Sequence, residues 1–147
     1  MAWITITEKD VLTVLSGPQL EGVREAALDP IQPDPIAPTV SQVVALVRGY
    51  VAGNPANQLG AGETIPAKLM APALDLIAVR VPQRIGQSPS EGRKDLAKDA
   101  IRLLERVSEG KFDIEEPADP EAGSGGASVE IASATDRLTG RDKLQGL

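Results

Sequence analysis

The chain has 147 residues, 41% of them hydrophobic, with no cysteine, no histidine, a single Trp, Tyr and Phe, and a net charge of −6. That composition excludes disulfides, thiolate and imidazole metal sites, and histidine acid–base chemistry. It also makes the chain a poor general ligand for nucleic-acid backbones, and it requires an aliphatic core in one domain with appendages.

The start, MAWITITEKD, has no basic n-region or long apolar h-region, which predicts a soluble protein made in the cytosol without a signal peptide. The longest charge-free apolar stretch, PIAPTVSQVVALV, is broken by prolines and is too short to span a bilayer. Residues 3–7 read as a short extended segment. Thr7 then reads as an N-cap, with Glu8 and Asp10 in the first turn. Val11, Leu12 and Leu15 form a stripe, and Gly17-Pro18 reads as the stop. A second short helix is predicted over residues 19–28, with Leu20, Val23 and Ala27 on one face. DPIQPDPIAP carries four prolines in ten residues and reads as a stiff linker.

The clearest helix is TVSQVVALVRGYVAG, where Val40, Val43, Val44, Val47 and Val51 share one face. Gly53-Asn54-Pro55 stops it, and a polar, Gly-rich loop follows. TIPAKLMAPALDLIAVRVPQR is apolar on most sides and reads as the central helix, with Pro72 either kinking it or restarting it in a first turn. Pro82 blurs its far end. In SPSEGRKDLAKDAIRLLERVSEG, Ser88 reads as the N-cap, with Pro89 first in the helix and Glu91 closing a capping box. Leu96, Ala100, Leu103 and Val107 form its stripe, widened by Ile101 and Leu104, and Gly110 reads as the stop.

The remaining quarter is more acidic than the body. Residues 1–110 hold 13 acids and 11 bases, and residues 111–147 hold 8 acids and 4 bases. KFDIE and ASVEIAS alternate like strands, separated by the linker-like PADPEAGSGG. GSGGAS lacks the Lys and the following helix of a P-loop, because Ala127 stands where the Lys belongs, and it reads as linker. The acids from Asp113 to Glu121 are interrupted by Pro117 and Pro120 and read as a solvated run, with weak divalent binding as the alternative. No metal or cofactor site is expected.

Asp75 and Arg80, charges on an apolar helix, are each expected to find an ion-pair partner or to lie at a subunit boundary; a catalytic carboxylate is the alternative, with no second acid nearby in sequence to form an acid–base pair. Lys94, Lys98, Arg102 and Arg106 make a basic ridge at i, i+4 spacing. The plain reading is a solvated face; the sharper one is an inter-subunit contact that docks against an acidic neighbour, such as another copy's linker. The apolar residues that persist to Leu147 have no core of their own. They read as an arm that adds to a partner's sheet edge or fills a groove, with plain disorder as the alternative.

WITITEKDVLTVLSGPQL, VVALVRGYVAGNPANQLGAGETIPAKL, GKFDIEEP and RLTGRDKLQGL together resemble the head-completion, or head–tail connector, proteins of Mu-like phages and prophages. The most specific parts are RGYV…NQLG…TIP at residues 48–66 and GKF at residues 110–112. The resemblance implies an adaptor ring, commonly of twelve copies, under the portal. C-terminal arms would reach the portal or neighbouring subunits, and DNA would pass through the lumen without specific binding.

The expected protein is thus all-α: a bundle of four to five helices over residues 1–110 with an extended arm over residues 111–147. The expected function is a structural, non-enzymatic adaptor in the virion neck, assembled in the host cytoplasm, that joins portal to stopper with no membrane contact. Portal or subunit contacts are expected at Phe112, Ile114, Val129, Ile131, Leu138, Arg141, Leu144 and Leu147. The stopper is expected to meet the loop at Asn54, Asn57, Gln58 and Glu63. Because the helical stripes lie upstream, a chain cut after Gly110 is expected to stay folded. The alternatives are another neck or tail-completion protein, or a helical module that docks on host proteins.

Overall fold

The computed structural model describes residues 3–26 and 34–120. It is an all-α bundle of five helices: α1 (Glu8–Val11), α2 (Gly17–Ala26), α3 (Ile36–Ala52), α4 (Met70–Gln83) and α5 (Glu91–Ser108), with a 3-10 turn at Ala67–Leu69 leading into α4. α4 is central and packs on α1, α3 and α5. The core is aliphatic, as the composition requires. Val11, Leu15, Leu20, Val43, Val47, Val51, Ile65, Leu69, Ile77, Val81, Leu104 and Val107 are almost fully buried. Thr39 is the one buried polar residue among those described, and its hydroxyl donates to the Pro35 carbonyl at 2.6 Å.

Local chemistry moves several predicted boundaries. Gly17-Pro18 opens α2 instead of ending α1. Ser16 and Gln19 exchange hydrogen bonds, with Ser16 N–H donating to Gln19 Oε1 at 2.9 Å and Gln19 N–H donating to Ser16 Oγ at 3.4 Å. This is a capping box in which Pro18 gives up no needed donor. α3 begins three residues inside the supposed linker for the same reason, since Pro38 falls in its first turn. The Asp34 carboxylate accepts the Ile36 N–H at 3.0 Å. The N-cap of α5 is Ser90, not Ser88, and its hydroxyl accepts from Arg93 N.

Of the two awkward prolines, Pro72 sits in the first turn of α4, so the helix starts just ahead of it without a break. Pro82 lies in the last turn, and its missing N–H leaves the carbonyl four residues back without its helical partner. That carbonyl, on Ala78, accepts from Arg93 Nη1 at 3.4 Å, while Arg93 Nη2 donates to the Val14 carbonyl at 2.9 Å. One guanidinium therefore binds the start of α5 to α4 and to the turn after α1. Gly110 ends α5 as expected, at φ +73°, and the Lys111 N–H returns to the Arg106 carbonyl at 2.8 Å.

Residues 3–6 and 111–120 are extended and wrap one end of the bundle. Ile4 and Ile65 exchange backbone hydrogen bonds at 2.8 and 2.9 Å. The Trp3 indole N–H donates to the Glu115 carbonyl at 2.8 Å. KFDIE is extended but belongs to no sheet; the Gly60 to Pro120 bridge is its one ladder-like contact farther along. Trp3 rests on Gly60, where a Cβ would lie 2.7 and 2.9 Å from indole carbons. Gly60→Ala is therefore expected to overpack this seat and lower stability by about 1–3 kcal/mol. Thermal unfolding followed by the emission of Trp3, the chain's one tryptophan, checks this; an unchanged midpoint would refute the packing account.

Candidate functional site

Two surfaces gather the residues singled out by the sequence. The first lies at the wrapped end. Arg48 is the one charged residue in α3, and its Nη1 donates to the Gly60 and Thr64 carbonyls, both at 2.9 Å. The same guanidinium stands 5.8 Å from the centre of the Trp3 ring. Arg48 thus fixes the loop that follows α3. Within the loop, Asn54 and Asn57 are half-buried and serve the fold. Asn54 Oδ1 accepts the Ala56 N–H at 3.1 Å, and Asn57 Nδ2 donates at 3.2 Å to the Val51 carbonyl, which also accepts the Asn54 N–H at the end of α3. Gln58 and Glu63 face solvent.

Phe112 and Ile114, expected to meet a partner, pack half-buried against the chain's own core. Lys68 holds the same segment, its N–H donating to Glu115 Oε2 and its ammonium to the Asp113 carbonyl. The loop and the arm root form the two walls of one polar cleft of about 410 Å³, lined by Asn54, Asn57 and Gln58 on one side and Phe112 to Glu116 on the other. Surfaces expected to serve two different partners are thus on one face. Val129, Ile131, Leu138, Arg141, Leu144 and Leu147 lie outside the described residues.

The second surface is a groove of about 560 Å³ between α4 and α5. Leu76, Val79, Ala97 and Ile101 supply its apolar lining, and Arg80, Lys94, Lys98 and Arg102 its cations, with Glu105 the one acid. The ridge therefore splits. Each step of four residues advances about 40° around the helix, so Arg106 has rotated away and Glu105 takes its place in the groove. The ridge cations pair with acids three residues earlier: Lys94 with Glu91 at 2.7 Å, Lys98 with Asp95 at 3.5 Å and Arg102 with Asp99 at 3.2 Å. The apolar stripe of α5 is buried as expected at Ala100, Leu104 and Val107, whereas Leu96 at its start is 52% exposed.

Asp75 and Arg80, each expected to find a partner or a subunit boundary, do not pair with each other, because five residues along a helix separate the two side chains by about 140°. Neither makes an ion pair or side-chain hydrogen bond among the described residues. Burial without a partner pushes the Asp75 carboxyl above its ordinary value. Among the described residues no three acidic side chains converge on a metal-sized site, and no helix is long and apolar enough to cross a membrane. Comparisons with protein-family models, curated proteins and solved structures return no match.

The Asp75 geometry fixes the sign of a pH effect. A carboxyl raised on folding binds its proton more tightly in the native state, so its destabilising contribution is absent at low pH. It grows as pH rises from the ordinary carboxylate value through the raised one. Asp75→Asn is accordingly expected to gain about 0.5 kcal/mol at pH 7 and nothing near pH 3. Denaturant titrations of both proteins at the two pH values test this, and an equal gain at both would exclude titration as the cause.

Proposed function

We propose that this chain is a neck adaptor that assembles as a ring on a phage portal and uses residues beyond 120 as its tether. The observation that carries this reading is the convergence of the segments most specific to the connector resemblance. Residues 48–66 and 110–112 are far apart in sequence. They meet at one end of the bundle, where Arg48 binds Gly60 and Thr64 and Gly110 approaches Asn54. Residues that share a packed end and a polar cleft suit a docking face better than scattered surface positions do. The aliphatic body and its acidic C-terminal quarter agree with a part that lines a DNA passage without gripping phosphates. Many weak subunit contacts would add through multivalency.

The direct test mixes the purified 15.4 kDa protein with its portal, or with tailless capsids, and weighs the product by native mass spectrometry. An increment of many copies on the portal is expected. No binding, with a stable monomer or dimer in solution, would refute the adaptor and favour the module that docks on host proteins.

The tether needs its own test, and the structure moves the cut. Removing residues from 111 onward would take away the Trp3 acceptor on Glu115 and the cover of Phe112 and Ile114. A chain ending at Pro120 keeps all of these. It is expected to unfold within about 0.5 kcal/mol of the full chain while losing portal attachment. Normal attachment of that shortened chain would show that the anchor lies in the body.

A further inference from the structure

The α4–α5 groove combines an apolar floor with a strong excess of positive charge, four cations against Glu105. Its α5 cations are held only by exposed local pairs, with Glu91, Asp95 and Asp99 65% exposed or more. Such pairs contribute little and exchange readily for a better-placed carboxylate. Arg80 has no ion-pair partner among the described residues. The groove therefore suits a short acidic segment that carries two or three aliphatic side chains.

The chain contains such a segment. Residues 121–136 hold Glu121, Glu130 and Asp136 and no base, and SVEIAS places Val129 and Ile131 on either side of Glu130. In extended backbone, residues two apart share a face, so Val129 and Ile131 would approach the floor together. The described chain leaves from Pro120, which is bridged to Gly60 in the loop ahead of α4, while Glu115 Oε2 accepts the Lys68 N–H beside the start of that helix. The groove residues Leu76 to Arg80 lie about 12–18 Å farther along that helix at 1.5 Å per residue. Residues 121–127 span up to about 25 Å when extended.

We propose that residues 128–136 seat in the α4–α5 groove of their own chain in the unassembled protein, with Val129 and Ile131 on the floor and Glu130 and Asp136 among the four cations. The groove then acts as a parking site that covers part of the apolar arm until a partner takes it. This holds or fails independently of whether that partner is a portal.

The absence of native cysteine permits a clean test on the full chain. Ala97→Cys with Ser133→Cys is oxidised mildly beside Leu12→Cys with Ser133→Cys, since Leu12 is an exposed position away from the groove. The products are read by intact mass and non-reducing gel. The expected result is an intrachain disulfide in the groove pair, formed at least tenfold faster than in the control. High salt, or Lys98→Glu with Arg102→Glu, should slow it severalfold. Equal rates in the two pairs would overturn the proposal. So would disulfide-linked dimers that increase with concentration, which would assign the groove to a second copy. A native groove provides the second readout. Val129→Ser with Ile131→Ser is expected to speed hydrogen exchange of the amides at 97–102 severalfold, and unchanged exchange would also overturn the proposal.

Discussion

The Trp3 indole lies against Gly60 at a distance no side chain would allow, and three separate pieces of chain take their positions from that contact. Arg48 reaches from α3 to hold the Gly60 and Thr64 carbonyls while facing the same indole. The indole N–H in turn holds Glu115, which sets the path of the chain after α5. The Ile4–Ile65 backbone pair clamps the entering strand to the residue just before α4. A glycine, a tryptophan and an arginine thus couple the N-terminus, the post-α3 loop and the arm root. None of the three contacts is strong alone. Together they satisfy backbone groups in a loop that has no sheet to serve it.

Much of the bundle was legible because its long helices obey simple rules. The valine spacing of α3 and the glycine stop of α5 are local features, and local features survive tertiary context. The boundaries moved where proline was taken only as a breaker. Pro18 and Pro38 sit in first turns, where a missing N–H has no cost, and Ser16 with Gln19 was a readable capping box; of the two readings open for Pro72, the first-turn one holds. In the α5 stripe Ala100, Leu104 and Val107 are buried and Ile101 and Leu103 pack against the core as read, while Leu96 alone is turned out. Arg48 carried a sequence signal, as the sole charge in an apolar helix. Arg93 carried none, since its role depends on the carbonyl that Pro82 frees on another helix.

Charge in this protein divides by how far it reaches. Arg24 is shared by Glu8 at 2.8 Å, Glu21 at 3.1 Å and Asp34 at 3.2 Å, which tie α1, α2 and the approach to α3 across residues 27–33. Hydrogen bonding to Glu8 first, then to Glu21 and Asp34, raises its already high affinity for a proton. The cations of α5 instead pair within their own helix and fix nothing distant. A cluster that links elements has a structural role to lose on substitution. A row of local pairs is free to take another partner.

That difference bears on how tightly the groove would hold the arm. Burying one valine and one isoleucine side chain contributes about 3–6 kcal/mol, and ordering the backbone of residues 128–136 opposes it at about 1–2 kcal/mol each. The apolar contact alone does not hold the segment, so attraction to the four cations has to add to it. Such a seat is reversible and weakens with salt. A partner offering more apolar surface to Leu138, Leu144 and Leu147 would outcompete it without any change in the body. The apolar floor without its basic rim would be too weak to hold the segment, and a rim of ion pairs without the floor would not select it over any other acid. The combination would cover the arm while the chain is alone and release it on contact.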